Sequence, residues 1–369
     1  MAPDDWEDWL RLMATDGVGP TTARRLLAAF GPPAAIFAQR ANTLAEVAGA
    51  VTAARLLGMP DGWQALRTRT REWLANPNHH LLALGDEAYP PALLTTPDPP
   101  PLLHVVGEPA ALTAPRALAI VGSRNPTPQG ADNARAFARA LAGEGVCIVS
   151  GLAAGIDAAA HEGALDAGGQ TVAVVGTGVD RVYPARHRAL AHRIAHAGCL
   201  VSEYLLGTPP LPAHFPRRNR IIAGLSQGTL VVEAALGSGS LITAELATQM
   251  GREVFAIPGS IHSPQSRGCH ALIRQGAKLV ETAAHIHEEL AGVWAHAPTP
   301  APAAPAAVTM ETDDDPILSA LGYDPTPFDV LQARCGWDTA RLQAHLLTLE
   351  LDGRVQRLPG GRLQRLASA

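Results

Sequence analysis

The chain has 369 residues, of which 47% are hydrophobic and 17% are charged, with a formal net charge of -5 and a pI near 6.3. This length and apolar content predict a globular protein of two or three domains. The negative net charge excludes a protein whose whole surface is basic, so any contact with nucleic acid must come from local clusters of basic residues.

Three further features bear on location. The N-terminus is acidic and amphipathic, unlike a secretory signal. No apolar run approaches the roughly 20 residues that cross a bilayer, so we expect no membrane contact. The four cysteines lie far apart without a CxxC pair, which favours reduced thiols over a disulfide framework or a zinc site. Together these features predict a cytoplasmic protein.

Residues 1–75 are predicted to form a small all-helical domain. Trp6, Leu10 and Met13 share one face of the first helix, and DGVGPTTARRLL then resembles a helix-hairpin-helix turn of the kind found in SAM-like domains. A tight turn in a small helical bundle explains the same residues. The helix predicted over Trp63 to Leu74 has three arginines that do not share a face, so a solvated surface is expected there.

Residues 76–292 are predicted to form a Rossmann-like α/β domain. The proline-rich passage that begins at Ala88 is expected to be extended chain without regular helix. From Arg116 onward, short apolar runs alternate with segments of helical periodicity, predicted over 129–142, 158–167, 185–197 and 241–250. Continuous apolar strands separated by helices indicate a doubly wound parallel sheet with both faces covered.

Ligands of such a sheet bind beyond the carboxyl ends of its strands. The loops expected at those ends, such as VGSRNPT, SGLAAGID, GTGVDRVYP and EAALGSGSLIT, are rich in glycine and serine, and several open helices. Backbone amides at a helix N-terminus bind oxyanions, and arginine adds charge and paired hydrogen bonds. Arg217, Arg218, Asn219 and Arg220 are predicted just ahead of a helix, and with these loops they indicate a phosphate-binding site.

Two classes of enzyme could use a site of this kind. The run GTGVDR lacks the third glycine of a dinucleotide fingerprint, which speaks against a nicotinamide cofactor. GSGSLITAE resembles the glycine-rich loop and glutamate of phosphoribohydrolases, with Glu233 and Glu245 as candidates for the glutamate. Glu233 has an equally good role in accepting hydrogen bonds from loop amides.

Several motifs, in order and nearly unbroken from about Leu82 to Val280, resemble the DNA-processing protein A family (DprA, also called Smf). They include GSRNPTPQG, VSGLAAGIDAAAH, HFPRRNRIIAGLS, GSGSLITAELA and GCHALIRQGAKLV. The resemblance implies an extended Rossmann domain that binds single-stranded DNA, protects it and loads the RecA recombinase during natural transformation of competent cells. It also implies a homodimer, a single-strand-binding protein as a further partner, no catalysis and no cofactor.

The family's motifs carry over to this chain residue by residue. The GSR loop, the FPxRNR segment and the second glycine-rich loop match, but Ala185 stands where the family often has lysine, and Arg186 follows it. Tyr183, His214 and Phe215 are candidates to stack on bases. The predicted DNA-binding residues are Gly122, Ser123, Arg124, Tyr183, Arg186, His214, Arg217, Arg218, Asn219, Arg220, Ser238, Gly239 and Ser240.

Structural roles compete with several of these assignments. Phe215 could pack in the core, Tyr183 could anchor its loop and His214 could be a structural hydrogen-bonding residue. Asp157 is most simply an N-cap, and Glu203 could position an arginine. His161, His262 and His270 have no spacing typical of metal ligands, so no metal is expected.

The C-terminal part is predicted to be a Pro/Ala-rich linker, residues 293–312, followed by a winged-helix domain, residues 313–369. Three short helical segments precede a hairpin that turns at Pro359, Gly360 and Gly361. The recognition helix would run from Asp338 to Leu351 with Arg341 as its only arginine. A role in protein contacts or dimer stabilisation therefore competes with base recognition.

Overall fold

The computed structural model describes residues 5–295 and 315–366. In these ranges the chain forms a helical domain, a large α/β domain and a small domain of three helices and three strands, an order that confirms the predicted fold class. The last helix of the α/β domain runs to Trp294, past the predicted start of the linker. The rest of the linker lies outside the described residues, and the domain boundaries stay predictions.

The helical domain is built from short helices, as predicted: α1 (Trp6–Ala14), α2 (Pro20–Phe30), α3 (Pro33–Phe37), α4 (Ala41–Ala48), α5 (Ala50–Leu57) and α6 (Trp63–Leu74). Trp6 and Leu10 of the predicted apolar face pack with Leu81 and Leu102 of the neighbouring sheet. The helical domain is therefore packed against the edge of the α/β domain.

Two of the three α6 arginines, Arg69 and Arg71, are exposed as predicted, and Arg67 is partly buried. Arg67 and Arg71 both bind the Glu7 carboxylate, at 2.7 and 2.8 Å. The hydrogen bond from Arg67 is the main reason that the pKa of Glu7 is lowered, and burial opposes it. These ion pairs fasten α6 to α1.

The α/β domain contains a mixed sheet whose strands, within residues 5–295, are ordered β1-β2-β6-β5-β4-β3-β7-β8-β9. The strands are β1 (His79–Ala83), β2 (Leu102–Gly107), β3 (Ala117–Val121), β4 (Cys147–Ser150), β5 (Thr171–Val174), β6 (Cys199–Ser202), β7 (Gly228–Val231), β8 (Glu253–Ala256) and β9 (Lys278–Leu279). Strands β3 to β9 pair in parallel, as predicted.

Helices cover both faces of this sheet. They are α7 (Pro91–Leu94), α8 (Pro128–Gly143), α9 (Ile156–Asp166), α10 (Arg188–Ala197), α11 (His214–Leu225), α12 (Ser240–Gln249), α13 (Arg267–Arg274) and α14 (Ala283–Trp294), with 3-10 turns at Pro109–Thr113, Ala185–His187 and Pro264–Ser266. Strands β3 to β7 are buried along their whole length, which explains their continuous apolar sequences.

The proline-rich passage differs from its prediction. It contains the one-turn helix α7, in which Pro91 occupies the first helical position, where a missing N–H costs nothing. It also contains β2, which pairs antiparallel with both β1 and β6. The sheet is therefore parallel with an antiparallel edge.

The C-terminal domain consists of α15 (Pro316–Leu321), β10 (Thr326–Pro327), α16 (Phe328–Cys335), α17 (Thr339–Leu351), β11 (Val355–Leu358) and β12 (Arg362–Arg365). The Asp338 side chain caps α17 by accepting from the Arg341 amide at 3.0 Å. The hairpin turns at Pro359–Gly361, where Gly360 and Gly361 have φ of +82° and +70°. These elements match the predicted winged helix.

Candidate functional site

A cavity of 420 Å³ opens at the carboxyl edge of the sheet, where the neighbouring strands β3 and β7 end. The chain proceeds from β3 to β4, β5 and β6 on one side, and continues from β7 to β8 and β9 on the other. Such a switch point is where open α/β sheets bind ligands. Most of the predicted binding residues line this cavity: Gly122, Ser123, Arg124, Arg218, Asn219, Ser238, Gly239 and Ser240.

The loop after β3 forms one wall of the cavity. A Cβ on Gly122 would lie 2.7 Å from Ile156 Cγ1 and 2.8 Å from the Glu233 carbonyl oxygen, so this close approach requires glycine. The Ser123 amide donates to the same carbonyl at 2.7 Å, which fixes the loop. Arg124 is exposed, with its guanidinium 5.6 Å from the centre of the Phe215 ring. Its charge is therefore available to an anion.

Arg218 is buried in the cavity wall, where its Nη1 donates to the Val174 carbonyl at 2.8 Å. Burial lowers the pKa of Arg218 to about 10 while Asp157 opposes that change, so the guanidinium is charged at neutral pH. A Cβ on Gly151 would collide with this guanidinium. The loop after β4 therefore admits Arg218 only because residue 151 is glycine.

Asp157 does not have its predicted role as an N-cap. It is the second residue of α9, whose N-cap is Gly155, and its carboxylate accepts from the amides of Gly151 and Ala153 at 3.1 and 3.3 Å. Burial raises the pKa of Asp157, and Arg218 opposes the rise. The carboxylate thus holds the loop after β4 beside Arg218.

The second glycine-rich loop leads into α12 from the opposite wall. Gly239 is the N-cap of α12, and the hydroxyls of Ser238 and Ser240 lie 2.7 Å apart. The Asn219 amide donates to the Gly239 carbonyl at 3.2 Å, which ties this loop to α11. The amides and positive dipole end of α12 therefore face the same cavity as Arg124 and Arg218.

The sequence predicted that the basic segment lies just ahead of a helix. The structure instead places it inside α11. Arg220 consequently points away from the cavity and binds Asp98 at 2.8 Å and Glu203 at 2.6 Å. Its side chain is 9% exposed and that of Glu203 is 5% exposed. Glu203 therefore positions an arginine, which is the structural role suggested for it from the sequence. Arg217 is exposed and has no side-chain hydrogen bond or ion pair within the described ranges, although its charge acts on the Glu203 carboxylate.

The aromatic candidates form a border beside the cavity. Tyr183 is 49% exposed, and its ring centre lies 5.6 Å from that of Phe215, which is half-buried in the cavity wall. His214 stacks on Tyr204 at 4.1 Å, an arrangement that suits a structural role. Arg186 is exposed on the 3-10 turn after Tyr183 and does not reach the cavity.

The glutamates considered for hydrolysis do not line the cavity. Glu233 accepts from the Thr127 amide at 2.9 Å and from the Thr127 hydroxyl at 2.6 Å, and burial raises its pKa. Glu245 lies exposed on α12. Across residues 5–295 and 315–366, no group of three or more His, Cys, Asp or Glu side chains could hold a metal ion. No helix in that part of the chain is long and apolar enough to cross a membrane.

Comparison with known proteins decides the family. The family model of DNA recombination-mediator protein A matches residues 80–291. The chain belongs to this family. A DprA-like N-terminal HHH domain matches residues 3–53, and the DprA winged helix domain matches residues 298–361. The resemblance drawn from the sequence motifs is thereby confirmed.

Individual relatives agree with this assignment. Protein Smf of Escherichia coli K12 is 47% identical over 299 residues, which cover 79% of the chain and 80% of that protein. The X-ray structure of DNA processing protein A from Streptococcus pneumoniae matches with a TM-score of 0.68 and 37% identity, over 77% of the chain and 97% of that structure. DNA processing protein A from Helicobacter pylori, whose structure concerns its single-stranded DNA binding mode, matches with a TM-score of 0.53 and 31% identity, over 58% and 96%.

Two residues that line the cavity, Asn125 and Gln265, were not predicted from the sequence. The Gln265 amide donates to the Asn125 carbonyl at 3.3 Å. Asn125 follows the recognised GSR loop directly, so its position was a usable signal. Gln265 comes from the distant 3-10 turn before α13, and only the folded chain brings it to the site.

Proposed function

We propose that this protein binds single-stranded DNA by its phosphate backbone in the carboxyl-edge cavity. The observation behind the proposal is the convergence of Arg124, Arg218 and the N-terminus of α12 on one cavity. Among the described residues that line the cavity, Asp157 is the only carboxylate, and its charge is offset by Arg218 and by two loop amides. The cavity therefore offers an anion several donors and little repulsion, in a protein whose net charge is -5.

A single strand suits this cavity better than a duplex. Single strands are held by a positive groove along the backbone, with aromatic groups that stack on bases. Tyr183 is exposed beside the cavity and can serve such a base. The Helicobacter pylori relative, whose structure concerns single-stranded DNA binding, supports the same assignment.

The test is an electrophoretic shift assay with matched single- and double-stranded oligonucleotides over a salt series. For single strands, each neutralised phosphate contributes about -0.7 to the slope of log K against log salt. Arg124→Ala should lower affinity and flatten that slope by about 0.7, without a change in melting temperature. The matched control is Arg139→Ala, a 53% exposed arginine on α8 beside Asp166. Equal binding of duplex and single strand, or an Arg124 variant indistinguishable from the control, would contradict the proposal.

In the cell, we propose, the bound strand is protected and passed to the RecA recombinase in the cytoplasm, during recombination and natural transformation. The support is membership of the recombination-mediator family. A filament-assembly assay on DNA coated with single-strand-binding protein tests it, since added protein should shorten the lag before RecA filaments form. An unchanged lag with tightly bound DNA would confine the function to protection.

We also propose a homodimer, with its interface in residues 257–280. Two apolar side chains in this segment are exposed, Ile261 by 75% and Leu279 by 47%, and burying them would favour association. Light scattering at micromolar concentration should report twice the chain mass, and Ile261→Asp should shift it toward the monomer. A monomeric wild-type protein would remove this part of the proposal.

We propose no catalytic activity. Glu233 is committed to Thr127 and Glu245 faces solvent, so neither glutamate is placed to assist cleavage of an N-glycosidic bond in the cavity. Incubation with nucleoside monophosphates should release no free base. Base release that is abolished by Glu233→Gln would favour the phosphoribohydrolase alternative.

A further inference from the structure

Helix α10 carries one arginine and two histidines on its exposed face, and we call this row the α10 stripe. Arg188, His192 and His196 follow one another at four-residue spacing, which places them on one side of the helix. Arg181 and Arg186 are exposed on the loop just before it. None of these five side chains has an ion pair or hydrogen-bond partner among residues 5–295 and 315–366.

The acidic residues around the stripe are engaged by other groups, and Asp180, which precedes Arg181, accepts from the Gly207 amide at 2.8 Å. Between Asp180 and Glu203 the sequence contains no acidic residue. Asp166 on the neighbouring helix α9 is engaged by Arg193, at 2.9 Å, and by Arg139. Glu108, near the far end of α10, accepts from the Ala110 amide at 3.4 Å. The unpaired arginines Arg181, Arg186 and Arg188 therefore give this surface a local positive potential in a protein of net negative charge, and the two histidines add hydrogen-bonding groups beside them.

The stripe begins close to the border of the cavity. Tyr183, whose ring lies against Phe215 of the cavity wall, precedes the 3-10 turn that leads directly into α10. His187 fixes this junction, because its Nδ1 lies 3.0 Å from the Leu152 carbonyl in the loop after β4. The cavity, Tyr183 and α10 thus form one continuous path.

We propose that the α10 stripe is a second section of the DNA track, along which the strand continues after it leaves the cavity. This inference rests on the proposed single-stranded DNA binding. The eight helical steps from Arg188 to His196 give the stripe a length of about 12 Å, so it adds contacts with backbone phosphates and no reading of base sequence. A nucleic acid is favoured over an acidic protein because the stripe continues the path from the cavity.

The test compares a short and a long oligothymidine, of about 6 and about 25 nucleotides, within and beyond typical sizes of a single-strand site. The triple variant Arg188→Ala, His192→Ala, His196→Ala changes only exposed side chains, so it should fold, and its melting curve verifies this. Affinity for the short strand should be unchanged. At about 0.2 M salt, affinity for the long strand should fall by about threefold, the factor that counterion release from one phosphate contributes at that concentration.

Arg193→Ala is the matched control, since Arg193 lies on the same helix but is paired with Asp166. It should leave both affinities unchanged. If the triple variant keeps the wild-type ratio of long- to short-strand affinity, the inference is overturned and an acidic protein becomes the better candidate for the stripe. If the wild-type protein does not bind the short strand, the proposed cavity function fails instead, so the two failures are distinguishable.

Discussion

Removing the Arg220 side chain should destabilise the fold more than it impairs DNA contact. In Arg220→Ala, the Glu203 carboxylate loses its 2.6 Å partner while it stays 95% buried, since its side chain is 5% exposed. Breaking a buried ion pair by removing one partner costs about 3–5 kcal/mol, because a charge is left without compensation. For a domain of this size, that corresponds to a fall in melting temperature of roughly 10 °C.

Arg217→Ala is the matched control, because Arg217 lies on the same helix but is exposed. Thermal and urea denaturation should show a large loss of stability for Arg220→Ala and almost none for Arg217→Ala. Adding Glu203→Gln to Arg220→Ala should restore part of the loss, since the unpaired charge is then absent. An Arg220 variant that melts like wild type, with a salt slope for single-stranded DNA flatter by about 0.7, would refute this reasoning and make Arg220 a phosphate ligand.

The same variant should show a pH dependence of known sign. Burial raises the pKa of Glu203 above the ordinary value of 4.5, and Arg220 acts against that rise. Without Arg220 the pKa of Glu203 rises further. A carboxyl group whose pKa is higher in the folded state destabilises the fold as pH rises through the interval above its unfolded value. The loss of stability in Arg220→Ala should therefore be smaller at pH 5 than at pH 8.

Two further predictions concern packing. Gly151→Ala should lower the free energy of unfolding, measured in urea, by about 1–3 kcal/mol and weaken DNA binding, because the new methyl group displaces the Arg218 guanidinium. The control Gly143→Ala should be nearly neutral, because the Cβ at residue 143 meets open space. Equal effects of the two substitutions would contradict the packing argument. Burial raises the pKa of the Cys147 and Cys269 thiols to about 12, so mass spectrometry should find both unalkylated at pH 8 in the folded protein and modified in urea. Rapid alkylation without urea would mean that the fold opens locally, at β4 for Cys147 or at α13 for Cys269.

The fold was largely predictable because its signals are local. The apolar strands and the helix Trp63–Leu74 follow from periodicity and end signals within a few residues. The antiparallel edge was missed because β2 follows a run of prolines, which indicate turns, and because its partners β1 and β6 lie far away in sequence. Pairing between distant segments leaves little local pattern to read.

The residues of the site were largely predictable from the sequence, but the directions of the α11 side chains were not. The sequence places three arginines and an asparagine side by side, which suggests one binding surface. An α-helix turns about 100° per residue, so neighbouring side chains point to different sides. Within α11, Arg217 faces solvent, Arg218 enters the cavity wall and Asn219 reaches the loop before α12. Arg220 binds the buried Glu203 carboxylate and the partly exposed Asp98.

The direction of the Arg220 side chain also links the helical domain to the site. Asp98 binds Arg220 at 2.8 Å and forms an ion pair with Arg24 of α2, which also donates to the Pro99 carbonyl at 3.2 Å. The carboxylate thus bridges the helical domain and the helix that positions Arg218. Because α11 contributes to both the ion-pair network and the cavity, the packing of the helical domain bears on the position of Arg218.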